Sequence, residues 1–436
     1  MATLVELAKE GIITSEMKEV AKVEGVEPRY IQQKMALGQV IIPANPQHKA
    51  KPVGIGKGLW TKINASIGTS PDICSIAEEV AKALAAEEAG ADTLMDLSVG
   101  GDLDRVRQEI IAAVKIPVGS VPLYQAFCEA NRKYGAPNKL DEELLFDVIE
   151  KQCADGISFM AIHCGINLYT IDRLKRQGYR YGGLVSKGGS SMVAWMLHNN
   201  RENPLYEQFD RVVNILKRYN GVLSLGNGLR AGAIHDSSDR AQIQELVINC
   251  ELAEIGLQMG CQMMVEGPGH VPLDEIEANI ILQKRMSNDA PYYMLGPIAT
   301  DVAPGFDHIA AAIGAACSSR YGADLICYIT PAEHLALPTI EDVKTGVKVA
   351  KVAVHIGDMN KYKDKGRQRD LAISKARRDL DWDAQFALAL YGNEARKIRE
   401  ARQPSLADTC TMCGSFCALR NANIHFQTAL AQGIKK

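Results

Sequence analysis

Met263-Met264-Val265-Glu266-Gly267-Pro268-Gly269-His270 is an apolar, β-prone run that stops in two glycines, a proline, a carboxylate and an imidazole. Seven other runs share this build: Asp92–Ser98, Ile116–Val121, Ile157–Cys164, Gly183–Lys187, Val222–Asn227, Tyr292–Thr300 and Leu325–Thr330, with helix-like segments between them. Eight such β/α units over about 240 residues predict the α/β class and a (β/α)8 TIM barrel, whose active site lies in the loops at the carboxyl ends of the strands. Chemistry is therefore sought where each run ends.

Around the barrel the chain divides into three parts: a small N-terminal α/β region over 1–75, the barrel over 76–345 and a helical C-terminal domain over 346–436. In the first, Thr14 or Ser15 is placed to cap a helix ending near Gly25, and Pro28 to open one ending at Gly38. The pair lacks the basic face a DNA-binding helix pair needs. Gly54, Gly56 and Gly58 around Lys57 hint at phosphate, but no Ser or Thr follows the lysine, so a loop is expected. Helix is predicted over Pro331–Val354. A charged stretch from Lys361 to Arg402 follows, with Leu380, Phe386, Leu388, Leu390 and Ile398 at roughly helical spacing and Pro404 as a turn.

Composition narrows the class. Apolar residues make up 47% of the 436 and charged residues 23%, as in a soluble globular enzyme. The 49 basic and 52 acidic residues nearly balance, which argues against a nucleic-acid partner. Glu6, Lys9, Glu10, Glu16, Lys18 and Glu19 exclude a signal peptide or membrane span in the first twenty residues, so a cytoplasmic protein with no membrane partner is expected. Of eleven cysteines, Cys74, Cys128, Cys153, Cys164, Cys250, Cys261, Cys317 and Cys327 are scattered, as expected of reduced buried thiols.

The other three are not scattered. Cys410, Cys413 and Cys417 stand within eight residues (CTMCGSFC), a set that can hold three irons of a 4Fe–4S cluster and leave the fourth open. The alternative is a zinc knuckle completed by His425, although no second cysteine pair is present.

At the strand ends, His270 in VEGPGH and His334 in TPAEH are candidate ligands of one divalent ion, or else loop caps. His308, beside Asp301 and Asp307, is a weaker third polar group there. Ser186-Lys187-Gly188-Gly189-Ser190 and Gly226-Asn227-Gly228-Leu229-Arg230 combine glycines with a cation, which suits a phosphate, though a turn explains either one alone. Met95, Tyr124, His163 and Tyr293 are placed to line the remaining wall, with core packing as the alternative role for Met95 and the tyrosines.

Taken together, PVGIGKGLWTKINASIGTSPD, GADTLMDLSVGGD, IPVGSVPLYQA, MLHNNRENPLYEQFDR, MVEGPGHVPLDEI, APYYMLGPIATDVAPGFDHI, YITPAEHLALP and CTMCGSFCA make the chain resemble the phosphomethylpyrimidine synthase family along nearly its whole length. The resemblance implies a non-canonical radical S-adenosylmethionine lyase acting on 5-aminoimidazole ribotide. It also implies a homodimer in which one subunit's cluster serves the other's barrel, and an electron donor such as flavodoxin or ferredoxin. By the same resemblance Met95, Tyr124, His163, Ser186, Lys187, Gly188, Asn227, Gly228, Leu229, Arg230, Glu266 and Tyr293 form the substrate shell. His270 and His334 bind zinc or iron. Cys410, Cys413 and Cys417 hold the cluster, with S-adenosylmethionine on the open iron.

Four departures, in three motifs, fall on that shell. The thiamin-pathway pattern reads NANIG, SRGG and GDGLRPG, whereas here Ser66 stands in NASIG, Lys187 in SKGG, and Asn227 and Ala231 in GNGLRAG. A guanidinium fork has become a point charge and a possible base a neutral amide. A paralogous branch rearranges the same ribotide to 5-hydroxybenzimidazole, the lower-ligand precursor of anaerobic cobamide synthesis, and an altered shell around an unchanged substrate is what that branch should show. The expectation is that activity, with Glu266 in proton transfer; formation of hydroxymethylpyrimidine phosphate is the alternative. A zinc-dependent barrel hydrolase with a structural cysteine tail and a non-enzymatic scaffold or RNA-binding role are the rival classes.

Overall fold

A computed structural model describes residues 2–178 and 180–431. Two compact units divide at Lys361/Tyr362. In the first, a two-stranded antiparallel sheet of β1 (Val40–Ile41) and β2 (Ile55–Gly56) precedes eight parallel strands: β3 (Lys62–Ile67), β4 (Thr93–Asp96), β5 (Val118–Ser120), β6 (Phe159–Ile162), β7 (Val222–Leu225), β8 (Gln262–Gly267), β9 (Tyr292–Met294) and β10 (Leu325–Cys327). They close in the order β10-β3-β4-β5-β6-β7-β8-β9, each strand beside its chain neighbour. Nearly every strand residue is buried, because the strands face side chains inside the barrel and helices outside it. One continuous apolar core runs through both layers.

The strand count is as expected, but one assignment is not. Gly183–Lys187 is no strand: Gly183 turns in the left-handed region (φ +62°), Val185 is exposed, and Lys187 opens a helix that runs to Asn199. The missing strand is β3, inside the region assigned to the N-terminal part, so the boundary expected at residue 75 cuts into the barrel. Its polar Asn64 disguised it. That side chain is buried, donating to the Tyr293 hydroxyl (2.8 Å) and accepting from Thr93 (2.9 Å).

The N-terminal helices Ser15–Glu24 and Pro28–Ala36 form as their caps dictate, with Thr14 accepting from the Met17 N–H and Gly25 left-handed at the end. With β1 and Leu59 they enclose a small core of their own around Met17, Ile31 and Met35. The Gly54–Gly58 segment is structural: β2 pairs with β1, and the Lys57 ammonium lies 2.5 Å from Asp289.

Helix was expected from Pro331, yet residues 331–339 form a loop, and the helix covers Ile340–Lys361. Pro338, two residues before the helix, helps keep this segment non-helical. His334 lies in this loop at φ +61°, a conformation that is costly for a residue with a Cβ.

The second unit begins at Tyr362 and holds helices Lys363–Arg378, Trp382–Leu388, Gly392–Glu400 and Ala418–Ala431. Ile398 is exposed rather than packed. No helix among the described residues is long and apolar enough to cross a membrane.

Candidate active site

At the carboxyl ends of the strands lies a cavity of about 700 Å³. Ser66, Met95, Tyr124, His163, Ser186, Lys187, Arg230, Glu266, Tyr293, His270 and His334 all line it. Strand register explains part of the gathering, since Ser66 pairs with Met95 and Glu266 with Tyr293 on adjacent strands. Gly188, Asn227, Gly228 and Leu229 stand behind this lining, and Leu229 is fully buried.

The two glycine clusters meet backbone to backbone. A Cβ on Gly189 would lie 2.4 Å from the Gly228 carbonyl oxygen, and one on Gly188 would lie 2.5 Å from His163 Cε1. Only hydrogen fits at either position. The imidazole of His163 is thereby enclosed, and its Nε2 contacts the Ser186 hydroxyl at 3.1 Å. Burial, assisted by the Arg230 charge, pushes it down to about 3, so the ring is neutral.

Their amides are used differently. Ser186 caps the helix Lys187–Asn199 by accepting from the Gly189 N–H (3.0 Å), and no described hydrogen bond takes the N–H of Lys187 or Gly188. That helix end lies at the cavity wall, with the Lys187 ammonium 4.8 Å above the Tyr124 ring. In the other cluster, the Gly228 and Leu229 N–H groups donate to the two carboxylate oxygens of Glu245 at 2.8 and 2.7 Å. Glu245 is fully buried, and burial pushes it up to about 8 against the pull of those two donors. The amides from Gly226 to Leu229 are thus already satisfied, and what this loop offers the cavity is the Arg230 side chain, braced by its own bond to the Asn227 carbonyl (3.0 Å).

Glu266 accepts from the Ser224 hydroxyl (3.1 Å) and the Asn227 N–H (3.2 Å), and burial raises its carboxyl while the Arg230 charge works against this. A buried carboxyl raised above its ordinary range suits proton transfer. Tyr124 is pushed up to about 12 by burial and stays protonated.

At the cavity's His pair, the ring centroids of His270 and His334 are 5.4 Å apart. His270 Nδ1 meets Asp301 at 2.8 Å and His334 Nδ1 meets Asp307 at 3.1 Å, so Nε2 is the nitrogen each ring offers. Asp301 also accepts the Ile234 N–H (2.9 Å). These aspartates, and not His308, are the polar partners there; His308 lies against Phe306 with ring centroids 6.4 Å apart. No group of three or more His, Cys, Asp or Glu among the described residues is gathered as an ion site.

Of the eight scattered cysteines expected as buried reduced thiols, all are unpaired, but Cys128, Cys317 and Cys327 are only half-buried. Cys327 lines the cavity, 3.4 Å from the Ser66 hydroxyl. Cys74 is exposed. The signal for Cys327 was its place three residues before the TPAEH turn, on an inward-facing strand position.

In the second unit, Cys410 precedes a tight turn in which the Gly414 N–H donates to the Cys410 carbonyl (2.9 Å), with Gly414 at φ +52°. Backbone N–H groups of Met412 and then Cys413 lower the Cys410 thiol. A thiol whose thiolate is favoured by amide donors fits the chemistry of an iron–sulfur ligand.

A parallel barrel with polar and titratable side chains gathered in a cavity at the strand ends, together with this cysteine turn, has the build of a barrel enzyme with a cysteine-bearing unit. The chain belongs to the radical SAM ThiC family, whose model matches residues 3–424. It is 72% identical over 430 residues to the 5-hydroxybenzimidazole synthase of Geobacter metallireducens, covering 99% of each chain. Identity to the 5-hydroxybenzimidazole synthase of Geobacter sulfurreducens is 73% over 422 residues, 97% of each chain. Phosphomethylpyrimidine synthase 2 of Methanosarcina mazei is 57% identical over 427 residues, 98% of this chain and 100% of the other.

Proposed function

We infer that this chain is a radical S-adenosylmethionine lyase that rearranges 5-aminoimidazole ribotide to 5-hydroxybenzimidazole for cobamide lower-ligand synthesis. The choice of product is carried by identity, 72% and 73% to relatives named for that product against 57% to a phosphomethylpyrimidine synthase. Family membership implies S-adenosylmethionine and an iron–sulfur cluster. We assign the cluster to Cys410, Cys413 and Cys417, and a zinc or iron ion to Nε2 of His270 and His334. A homodimer, a flavodoxin- or ferredoxin-type electron donor and a cytoplasmic location complete the proposal.

When bound, the cluster and S-adenosylmethionine supply the one-electron chemistry that starts the reaction. The protein's residues do the rest. Lys187, Ser186 and the first-turn amides of Lys187 and Gly188 hold the ribotide phosphate, where the helix N-terminus favours an anion. Arg230 adds a second cation from the loop on the other side of the Gly189–Gly228 contact. Neutral His163 hydrogen-bonds without adding charge, and Glu266 exchanges a proton with the ribose-derived fragment. Met95 and Tyr293 exclude water and orient the ring.

Iron and sulfide analysis of anaerobically reconstituted protein, with S-adenosylmethionine cleavage measured with and without ribotide, tests the reading. Ribotide-dependent cleavage is expected. A zinc-loaded protein that takes up no cluster and hydrolyses the ribotide would transfer the chain to the barrel hydrolases.

A further inference from the structure

The segment leading into Cys410 is held in an unusual way. Three successive carbonyl groups, those of Ala407, Asp408 and Thr409, accept hydrogen bonds from side chains of the two preceding helices. Arg399 donates through Nη1 to Thr409 (2.6 Å) and through Nη2 to Ala407 (2.7 Å), while the Trp382 indole N–H donates to Asp408 (3.0 Å). The guanidinium carbon of Arg399 lies 3.8 Å from the centroid of the Trp382 ring, so the two donors form one stacked unit. Thr409 is fully buried, and its N–H and hydroxyl both donate to the Leu406 carbonyl. The Asp408 carboxylate pairs with Arg420 at 3.1 Å, joining the segment before the first cysteine to the helix after the last.

Between the cysteines the chain is open: Met412 is 90% and Phe416 85% exposed. The order of the turn therefore comes from its flanks. A plain linker does not need three consecutive carbonyls satisfied by a stacked arginine and indole. A metal-binding turn does, because its thiolates must be presented in a fixed geometry before the metal arrives.

We propose that Arg399 and Trp382 are positioning residues, a latch that fixes residues 407–409 and so presents Cys410, Cys413 and Cys417 for cluster assembly. The proposal rests on the assignment of the cluster to those cysteines. With its carbonyls drawn into the latch, the chain enters the turn in the orientation that leaves the Met412 and Cys413 amides directed at sulfur, and the Arg399 cation stands one residue from the first ligand.

The test uses the full-length chain reconstituted anaerobically with ferrous iron and sulfide. Arg399→Ala is expected to lose cluster to a chelator about 10- to 100-fold faster than wild type, the range typical of groups that orient metal ligands. Its reduction potential should move to more negative values, because a nearby cation that favours the reduced cluster is gone. Arg399→Lys keeps the charge but cannot span two carbonyls, so retention should be intermediate and the potential close to wild type. Trp382→Phe keeps the stacking face and loses one donor, and a few-fold change is expected. Chelator rate and potential both unchanged in Arg399→Ala would overturn the latch. Hydrogen exchange of the 406–413 peptide in cluster-free protein separates this from failure of the cluster assignment. If wild type takes up no iron, that assignment falls, while faster exchange in Arg399→Ala still supports the latch and unchanged exchange refutes it.

Discussion

SKGGS at 186–190 and GNGLR at 226–230 look alike as sequence, two glycine clusters beside a cation, yet they do different work. The first is the open end of a helix, with the Lys187 and Gly188 N–H groups uncommitted among the described hydrogen bonds. The second has its Gly228 and Leu229 amides consumed by Glu245, seventeen and sixteen residues further on. The glycines are needed in both for one shared reason, the close approach of the loops around His163. Whether a glycine loop is an anion cradle is thus decided by what occupies its amides.

Four substitutions break or sharpen that contrast. Glu266→Gln, at the base of the second loop, removes the proton-transfer group and should lower kcat about 10²- to 10⁴-fold with little change in KM, measured by steady-state assay. Lys187→Ala should raise the ribotide KM about 10- to 100-fold, the worth of a charge-assisted phosphate contact. The same variant should lose most of its preference for ribotide over the dephosphorylated riboside. Gly188→Ala drives a Cβ against His163 and should cost about 1–3 kcal/mol in chemical denaturation as well as weakening substrate binding. Glu245→Gln should cost about 1–3 kcal/mol of stability, since an amide NH₂ must then face a backbone N–H, but should leave the ribotide-to-riboside preference intact.

The contrast also shows in pH. Glu245 is raised in the fold to about 8 from 4.5, so its contribution to stability is present below pH 4.5 and is lost as pH rises through 8. His163 is lowered to about 3 from 6.5, so the unfolded chain takes up a proton that the fold refuses, and stability falls as pH drops from 6.5 toward 3. Denaturation midpoints across pH 5 to 8 should therefore slope less steeply downward with rising pH in Glu245→Gln than in wild type.

Much of this was legible in the chain. Seven of the eight barrel strands could be read because buried parallel strands are continuous apolar runs that stop in turn residues. β3 was not, because Asn64 and Ser66 face the interior and dilute the apolar signal, and Gly183–Lys187 took its place because its Leu-Val pair mimics a strand edge. Site residues at strand ends were visible through their turns. Glu245, Asp301 and Asp307 were not singled out as partners, since their roles depend on contacts across the fold and not on spacing, while Cys327 was passed over although it stands three residues before the TPAEH turn. The cysteine turn announced itself, while Arg399 and Trp382 carry no motif at all.

The central claim is the reaction. Ribotide labelled with ¹³C in its ribose, incubated anaerobically with reconstituted protein, reductant and S-adenosylmethionine, tests it through mass analysis of the product. Label is expected in an unphosphorylated 5-hydroxybenzimidazole. Label in a phosphorylated pyrimidine would contradict it.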